Sequence, residues 1–240
     1  MEALLRLDKY LADMGVGTRS QIKQMVRKGQ ISVNGEVVKK PETKVNTASD
    51  QITVLGKQIA YQKYRYVLLH KPAGVVSATE DKREKTVLDL LPKEMQKDMF
   101  PVGRLDKDTE GVLLLTNDGD LAHRLLSPKK HVDKTYYAKI DGKVSEQDID
   151  AFAEGVDIGD EKMTMPAKLE ILKADDTSEI LLTIQEGRFH QVKRMFEAVD
   201  KKVIYLKRVS MGPIHLEAEL AKGTYRELTE EELEALQKCR

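Results

Sequence analysis

The chain carries one cysteine, Cys239, near its C-terminus, so no disulfide framework is available and a reducing compartment is expected. The thiol itself reads as an incidental exposed group. No apolar run approaches the length of a membrane span, and Met1-Glu2-Ala3-Leu4-Leu5-Arg6 places an acid where a secretion signal wants bases. The expected location is the cytoplasm, with no membrane partner. Five histidines and one cysteine give no metal-ligand spacing, and neither a phosphate-binding loop nor a dinucleotide fingerprint is present; no metal and no cofactor are expected. Internal repeats are also lacking. What remains is a chain of 240 residues, 40% hydrophobic and 33% charged, enough for one large or two modest cores.

Net charge is zero as well, which taken alone argues against a polyanionic partner. The charges are nevertheless segregated along the chain. Residues 1–60 hold ten Lys/Arg, among them Arg6, Arg19, Lys23, Arg27 and Lys28, against six acids. Between Arg188 and Arg208 a second block (Arg188, Lys193, Arg194, Lys201, Lys202, Lys207, Arg208) faces only Glu197 and Asp200. The balancing acids gather near the C-terminus, at Glu230, Glu231, Glu232 and Glu234. Two basic blocks in a neutral chain favour a phosphate-binding surface.

Hydrophobic periodicity divides the chain. Leu7, Tyr10, Leu11 and Met14 recur at helical spacing, with Gly15 as a cap. Thr18 or Ser20 caps a second helix, in which Ile22, Met25 and Val26 form an apolar stripe and Arg19, Lys23 and Arg27 a basic one. Ile31 to Val38 reads as a hairpin about Asn34-Gly35. The polar stretch from Pro41 to Asp50 is expected to be loosely tied, and Gly56 to Lys63 to be a linker, so residues 1–60 form one module and residues 61–240 the main domain. In the latter, strand-length runs fall at Tyr66–Leu69, Val75-Val76, Gly111–Thr116, Tyr136–Ile140, Leu169–Leu172, Ile180–Ile184 and Val203–Leu206. Helical patterns occupy Asp120–Leu126, Ser145–Glu154 and His190–Val199, and a Thr229/Glu232 capping box opens a last helix ending near Gln237. Such alternation predicts an α+β domain on a mixed, largely antiparallel sheet.

The most informative stretch is GRLDKDTEGVLLLTNDG, residues 103–119. It sets Asp106 between Arg104 and Lys107, in a Gly-bounded turn that feeds a buried strand, an arrangement suited to holding an ionised carboxylate. An Asp at such a place also closes turns. The whole block resembles the catalytic motif of the RNA pseudouridine synthases, in the branch that modifies ribosomal RNA and carries a small RNA-binding module at its N-terminus. Asp133-Lys134-Thr135-Tyr136-Tyr137 resembles the family's second motif, and Leu181 to Met195, with Gly187-Arg188-Phe189-His190-Gln191, its third. RLDKYLADMGVGTRSQIKQMVRKGQISVNG resembles the S4-type RNA-binding module, and KPAGVVSAT (residues 71–79) and SPKKHV (residues 127–132) extend the similarity along nearly the whole chain.

The resemblance implies an S4-type module of helices and a hairpin, then a pseudouridine synthase domain that turns a uridine into its carbon-linked isomer. It implies Asp106 as nucleophile, acting at carbon 6 of the base, at the anomeric carbon, or on a ribose proton. Tyr136 stacks on the target base. A basic residue of the third motif pairs with Asp106: Arg188 is assigned, with Lys193 and Arg194 as other candidates. Arg104 helps to fill the space left by the flipped nucleotide. Lys134, His190, Gln191, Lys193 and Arg194 join Arg6, Arg19, Lys23, Arg27 and Lys28 on the RNA. The expected partner is 16S ribosomal RNA or a small-subunit assembly intermediate, modified at uridine 516 by a monomer. Alternatives are a 23S uridine and a non-catalytic assembly factor.

Overall fold

The structure, a computed structural model, describes residues 4–127 and 130–239. Glu2, with the rest of the first three residues, and the Pro128-Lys129 pair of the SPKKHV run lie outside the described residues. Two compact units are present, Met1–Tyr64 with Pro92–Asp98, and Arg65–Leu91 with Met99–Arg240.

The first unit runs β1 (Leu4–Arg6), α1 (Leu7–Asp13), α2 (Arg19–Arg27), β2 (Ile31–Val33), β3 (Glu36–Val37), β4 (Lys44–Asn46), β5 (Ile52–Val54) and β6 (Lys57–Ile59). Thr18 starts α2 through a capping box with Gln21, satisfying backbone N–H groups at the helix end. Asn34 and Gly35, at φ 52° and 87°, give the two positive φ values of a tight hairpin turn between β2 and β3. The apolar stripes of α1 and α2 meet Ile31, Val45, Ile52 and Val54 in one core. Each such fully buried aliphatic side chain contributes about 2 kcal/mol of transfer free energy.

The stretch from Pro41 to Asp50 is not loosely tied. β4 pairs antiparallel with β1, Val45 is fully buried, and Asp50 bonds to Asn34 and to the Asn46 N–H. One apolar residue between Lys44 and Asn46 is too weak a pattern to announce a strand. Nor is Gly56 to Lys63 a plain linker, because β6 pairs with β5 and Ile59 accepts the Tyr10 hydroxyl at 2.8 Å.

The second unit contains β7 (Tyr66–Lys71), β8 (Phe100–Pro101), β9 (Glu110–Thr116), α3 (Gly119–Leu126), β10 (Lys134–Asp141), α4 (Glu146–Glu154), β11 (Lys168–Lys173), β12 (Thr177–Ile184), α5 (Gln191–Glu197), β13 (Lys202–Met211), β14 (Ile214–His215), β15 (Tyr225–Glu227) and α6 (Glu230–Lys238). Its sheet has the order β11-β12-β10-β13-β9-β7-β15, with β14 beside β13 and β8 beside β9. The pairing is antiparallel except between β13 and β9. The α+β expectation therefore holds. Val75-Val76 forms no strand and contributes one bridge, Val76 to Thr86. Cys239, expected to be exposed, is half-buried at the end of α6, with its Sγ on the Ala235 carbonyl.

Two details of the sheet position the site. Gly111, at φ +108°, lies where β9 meets β13; a Cβ there would come within 2.1 Å of the Arg208 carbonyl oxygen, so no other residue allows that approach. Between Thr135 and Tyr136 the β10–β13 register slips: Thr135 faces Ser210 but Tyr136 faces Arg208, leaving Val209 as the extra residue. Such a bulge re-aims the neighbouring side chains.

Candidate active site

Asp106 sits in the loop between β8 and β9, and other segments hold that loop by its backbone. The Lys71 side chain, fully buried at the end of β7, donates from Nζ to the carbonyls of Pro72 (3.1 Å), Asp106 (3.0 Å), Lys107 (3.4 Å) and Thr109 (2.8 Å). Burial pushes its pKa down to about 8, against the pull of Asp108, Asp106 and Glu110. The Ser77 hydroxyl donates to the Leu105 carbonyl and accepts from the Leu105 N–H, at 2.8 and 3.1 Å, while the Gly74 N–H donates to the Lys107 carbonyl. The segment KPAGVVSAT is thus the mould of the Asp106 loop, a role unassigned by sequence reasoning. A lysine ending the apolar run Tyr66–Lys71 was the available signal, since a buried ammonium must find acceptors.

The flanking cations of the loop do not hold Asp106. Lys107 turns outward to Glu84, 2.8 Å away, and Arg104 is exposed with no hydrogen bond or ion pair to a described residue. Successive residues of a turn point apart, so neighbours in sequence rarely share a partner. The carboxylate is instead met by Lys193, in the first turn of α5, and by His190, the residue just before that helix. Lys193 Nζ is 3.2 Å from Asp106 Oδ2 and 2.7 Å from Asp108 Oδ1; His190 Nε2 is 3.6 Å from Asp106 Oδ1. Partial burial works against the Lys193 charge, but the two carboxylates outweigh it and hold its pKa above the ordinary lysine value. Burial likewise works against the Asp108 charge, and the Lys193 bond outweighs it, leaving that carboxyl below its ordinary value.

Arg188 does not pair with Asp106. Its Nε donates to Glu186 (3.0 Å) and its two terminal nitrogens to the carbonyls of Lys162 (2.6 Å) and Met163 (2.7 Å), with Asp160 3.5 Å away. An acid two residues earlier captures the guanidinium and turns it toward the loop before β11. Arg194 is spent on the same loop, bonding to the Ile158 carbonyl, to Asp160 and back to the Phe189 carbonyl. Gln191 is buried, its amide bridging Glu186 and the Arg188 N–H. Lys134 is buried too, donating to the Val132 carbonyl, its pKa pushed down to about 8 by burial and by Arg208. These four side chains are held by the protein's own carbonyls and carboxylates, and none of them meets Asp106, although Arg188 and Gln191 line the same cleft as Asp106.

Tyr136 is 7% exposed, and its hydroxyl makes no hydrogen bond to a described residue. With Arg104, Asp106, Thr109, His190 and Lys193 it lines an open cleft of about 430 Å³, whose apolar side is Ile184, Val192 and Leu206. The cleft therefore brings together a carboxylate, its lysine, an aromatic wall and a free guanidinium. In the first unit, Arg19, Lys23, Arg27 and Lys28 are exposed, and none of their side chains has a hydrogen bond or ion pair to a described residue. Arg6 differs: it is held by Asp8, a nearly buried carboxylate, at 2.8 Å. Among the described residues no helix is long and apolar enough to cross a membrane.

Comparison with known proteins gives the same arrangement a lineage. Residues 65–198 match the RNA pseudouridylate synthase family and residues 5–52 match the S4 domain. An uncharacterized RNA pseudouridine synthase, YtzG, of Bacillus subtilis (strain 168) is 50% identical over 234 residues, covering 97% of this chain and 98% of the relative. Ribosomal large subunit pseudouridine synthase B of the same organism is 42% identical over 96% of this chain and 95% of its own length. Ribosomal small subunit pseudouridine synthase A of Vibrio vulnificus (strain CMCP6) is 40% identical over 98% and 100%. A solved pseudouridylate synthase superposes with a TM-score of 0.68 at 40% identity, covering 97% of this chain and 99% of the other. The chain belongs to the RNA pseudouridine synthases, as an S4 domain followed by a pseudouridine synthase domain.

Proposed function

We propose that this enzyme isomerises a uridine of ribosomal RNA to pseudouridine, with Asp106 as nucleophile and uridine 516 of 16S RNA as its target. The reaction exchanges the bond from the base nitrogen to the ribose for one from carbon 5: the carbon 5 proton leaves, the freed nitrogen gains one, and no co-reactant is consumed. A carboxylate fixed by a lysine, in a cleft with an aromatic wall, supports it. Asp106 attacks the base or the sugar, or takes a ribose proton, and Lys193 holds the carboxylate in place. The Tyr136 ring stacks on the base, and its hydroxyl relays the carbon 5 proton, passing its own proton to solvent as it takes up the one from carbon 5. Arg104 enters the space that the flipped nucleotide vacates. The exposed cations of α2 grip the RNA backbone, and the enzyme works as a monomer in the cytoplasm.

The single observation carrying this reading is the Asp106–Lys193 pair on the cleft wall. A large-subunit uridine is the second reading, favoured by the 42% identity with the large-subunit synthase B. Mapping pseudouridine in both rRNAs of cells lacking the gene separates them: loss at uridine 516 alone is expected. Loss at a 23S position instead establishes the alternative, and no loss anywhere in rRNA contradicts both.

A further inference from the structure

Phe189 is 75% exposed, although it belongs to the turn that delivers His190 and Lys193 to Asp106. A single exposed apolar side chain needs no explanation in itself. This one is held in place. Its ring stacks on His190, with centroids 3.8 Å apart and planes 20° from parallel. Its carbonyl accepts from Arg194 at 3.0 Å, and Arg194 is fixed to Ile158 and Asp160. His190 takes a left-handed backbone, φ 49°, immediately before α5, and its imidazole reaches to 3.6 Å from the Asp106 carboxylate. A two-ring stack therefore runs from the nucleophile out to water. The phenyl presents one face to His190 and the other side of the ring lies open.

We infer that Phe189, backed by His190, is the stacking platform for a nucleobase adjacent to the target uridine in the RNA strand. The inference rests on the RNA isomerase reading above. Extruding a uridine leaves its neighbours without a stacking partner on one side, and a rigid aromatic face replaces that contact for any base, since every base has a π surface. Because the ring is already ordered, little rotamer freedom is lost on binding. Phe189 is in this view a positioning residue. It touches the strand beside the reacting nucleotide and leaves Asp106 and Lys193 undisturbed.

The test uses the full chain with unmodified transcripts of 16S and 23S rRNA, comparing wild type with Phe189→Ala, Phe189→Leu and Phe189→Tyr. Filter binding gives affinity, steady-state conversion gives KM and kcat, and thermal melting and gel filtration report folding and oligomeric state. Ala and Leu are expected to weaken binding and raise KM about tenfold, which corresponds to about 1.4 kcal/mol, with kcat changed less than twofold. Tyr should restore both. Melting temperatures should stay unchanged, because the side chain is largely in water. Wild-type affinity and KM in Phe189→Ala overturn the platform, as does rescue by Leu equal to that by Tyr, or a shift in oligomeric state as the sole effect. Affinity is read whether or not the RNA is converted; a wild-type enzyme that converts neither transcript overturns the isomerase reading instead.

Discussion

Two basic regions of similar composition have opposite fates in this molecule. On α2, Arg19, Lys23 and Arg27 stand four residues apart on one face, exposed and with no ion pair to a described residue. Between residues 188 and 208, by contrast, Arg188, Lys193, Arg194 and Lys201 all meet carboxylates, and Arg208 is 2% exposed with its Nε on the Val112 carbonyl. The first set leaves its charge open to solvent. The second set spends its charge inside, holding the loop at residues 158–163 and the Asp106 carboxylate. Surface potential follows from what remains unpaired after folding, which a count of lysines and arginines does not give.

Breaking the internal set should be felt in chemistry, and breaking the external set in binding. The largest effect is expected for Asp106→Asn, which keeps the shape and removes the anion: single-turnover rates should drop by ~10⁴ or more, with RNA affinity close to wild type. Substantial pseudouridine formation by the purified variant would sink the nucleophile assignment. Lys193→Met comes next, with turnover lowered about 10³-fold because the carboxylate loses its preorganised cation. Activity near wild type would show that His190 alone suffices.

Tyr136→Phe should slow turnover about 10²-fold with normal RNA affinity if the hydroxyl relays the carbon 5 proton. A fast Phe variant beside a poor Tyr136→Leu variant would reduce the role to stacking, and wild-type rates in both would remove Tyr136 from the site. The smallest effect on the catalytic rate belongs to the combined Arg19→Ala, Lys23→Ala and Arg27→Ala variant. There the slope of log affinity against log salt should fall by about 2, reflecting about three phosphates no longer neutralised.

Elements with strong local signals were legible before the fold was known. The α2 stripe, the Asn34-Gly35 turn, the Thr229/Glu232 box and the apolar run of β9 each carry their own periodicity or cap, and each forms as read. β4, β6 and β15 were not, because strands of three residues show no alternation and exist through their partners. At the site, the motifs mark Asp106 and Tyr136, which share the cleft with His190, just before α5, and Lys193, within it. Which cation meets Asp106 was not readable. Arg188 and Lys193 lie five residues apart, and Glu186 decides the competition by capturing Arg188. The mould at Lys71 and Ser77 was hidden for a similar reason: its bonds go to backbone carbonyls and an N–H some 30 residues away, which no side-chain pattern records.

The division between internal and external cations is tested most directly by measuring, side by side, the single-turnover rate at saturating RNA and the salt slope of RNA binding for Lys193→Met and for the triple α2 variant. Lys193→Met should lose rate and keep the wild-type slope; the α2 variant should lose slope and keep rate. A reduced slope in Lys193→Met with its rate intact would contradict the account.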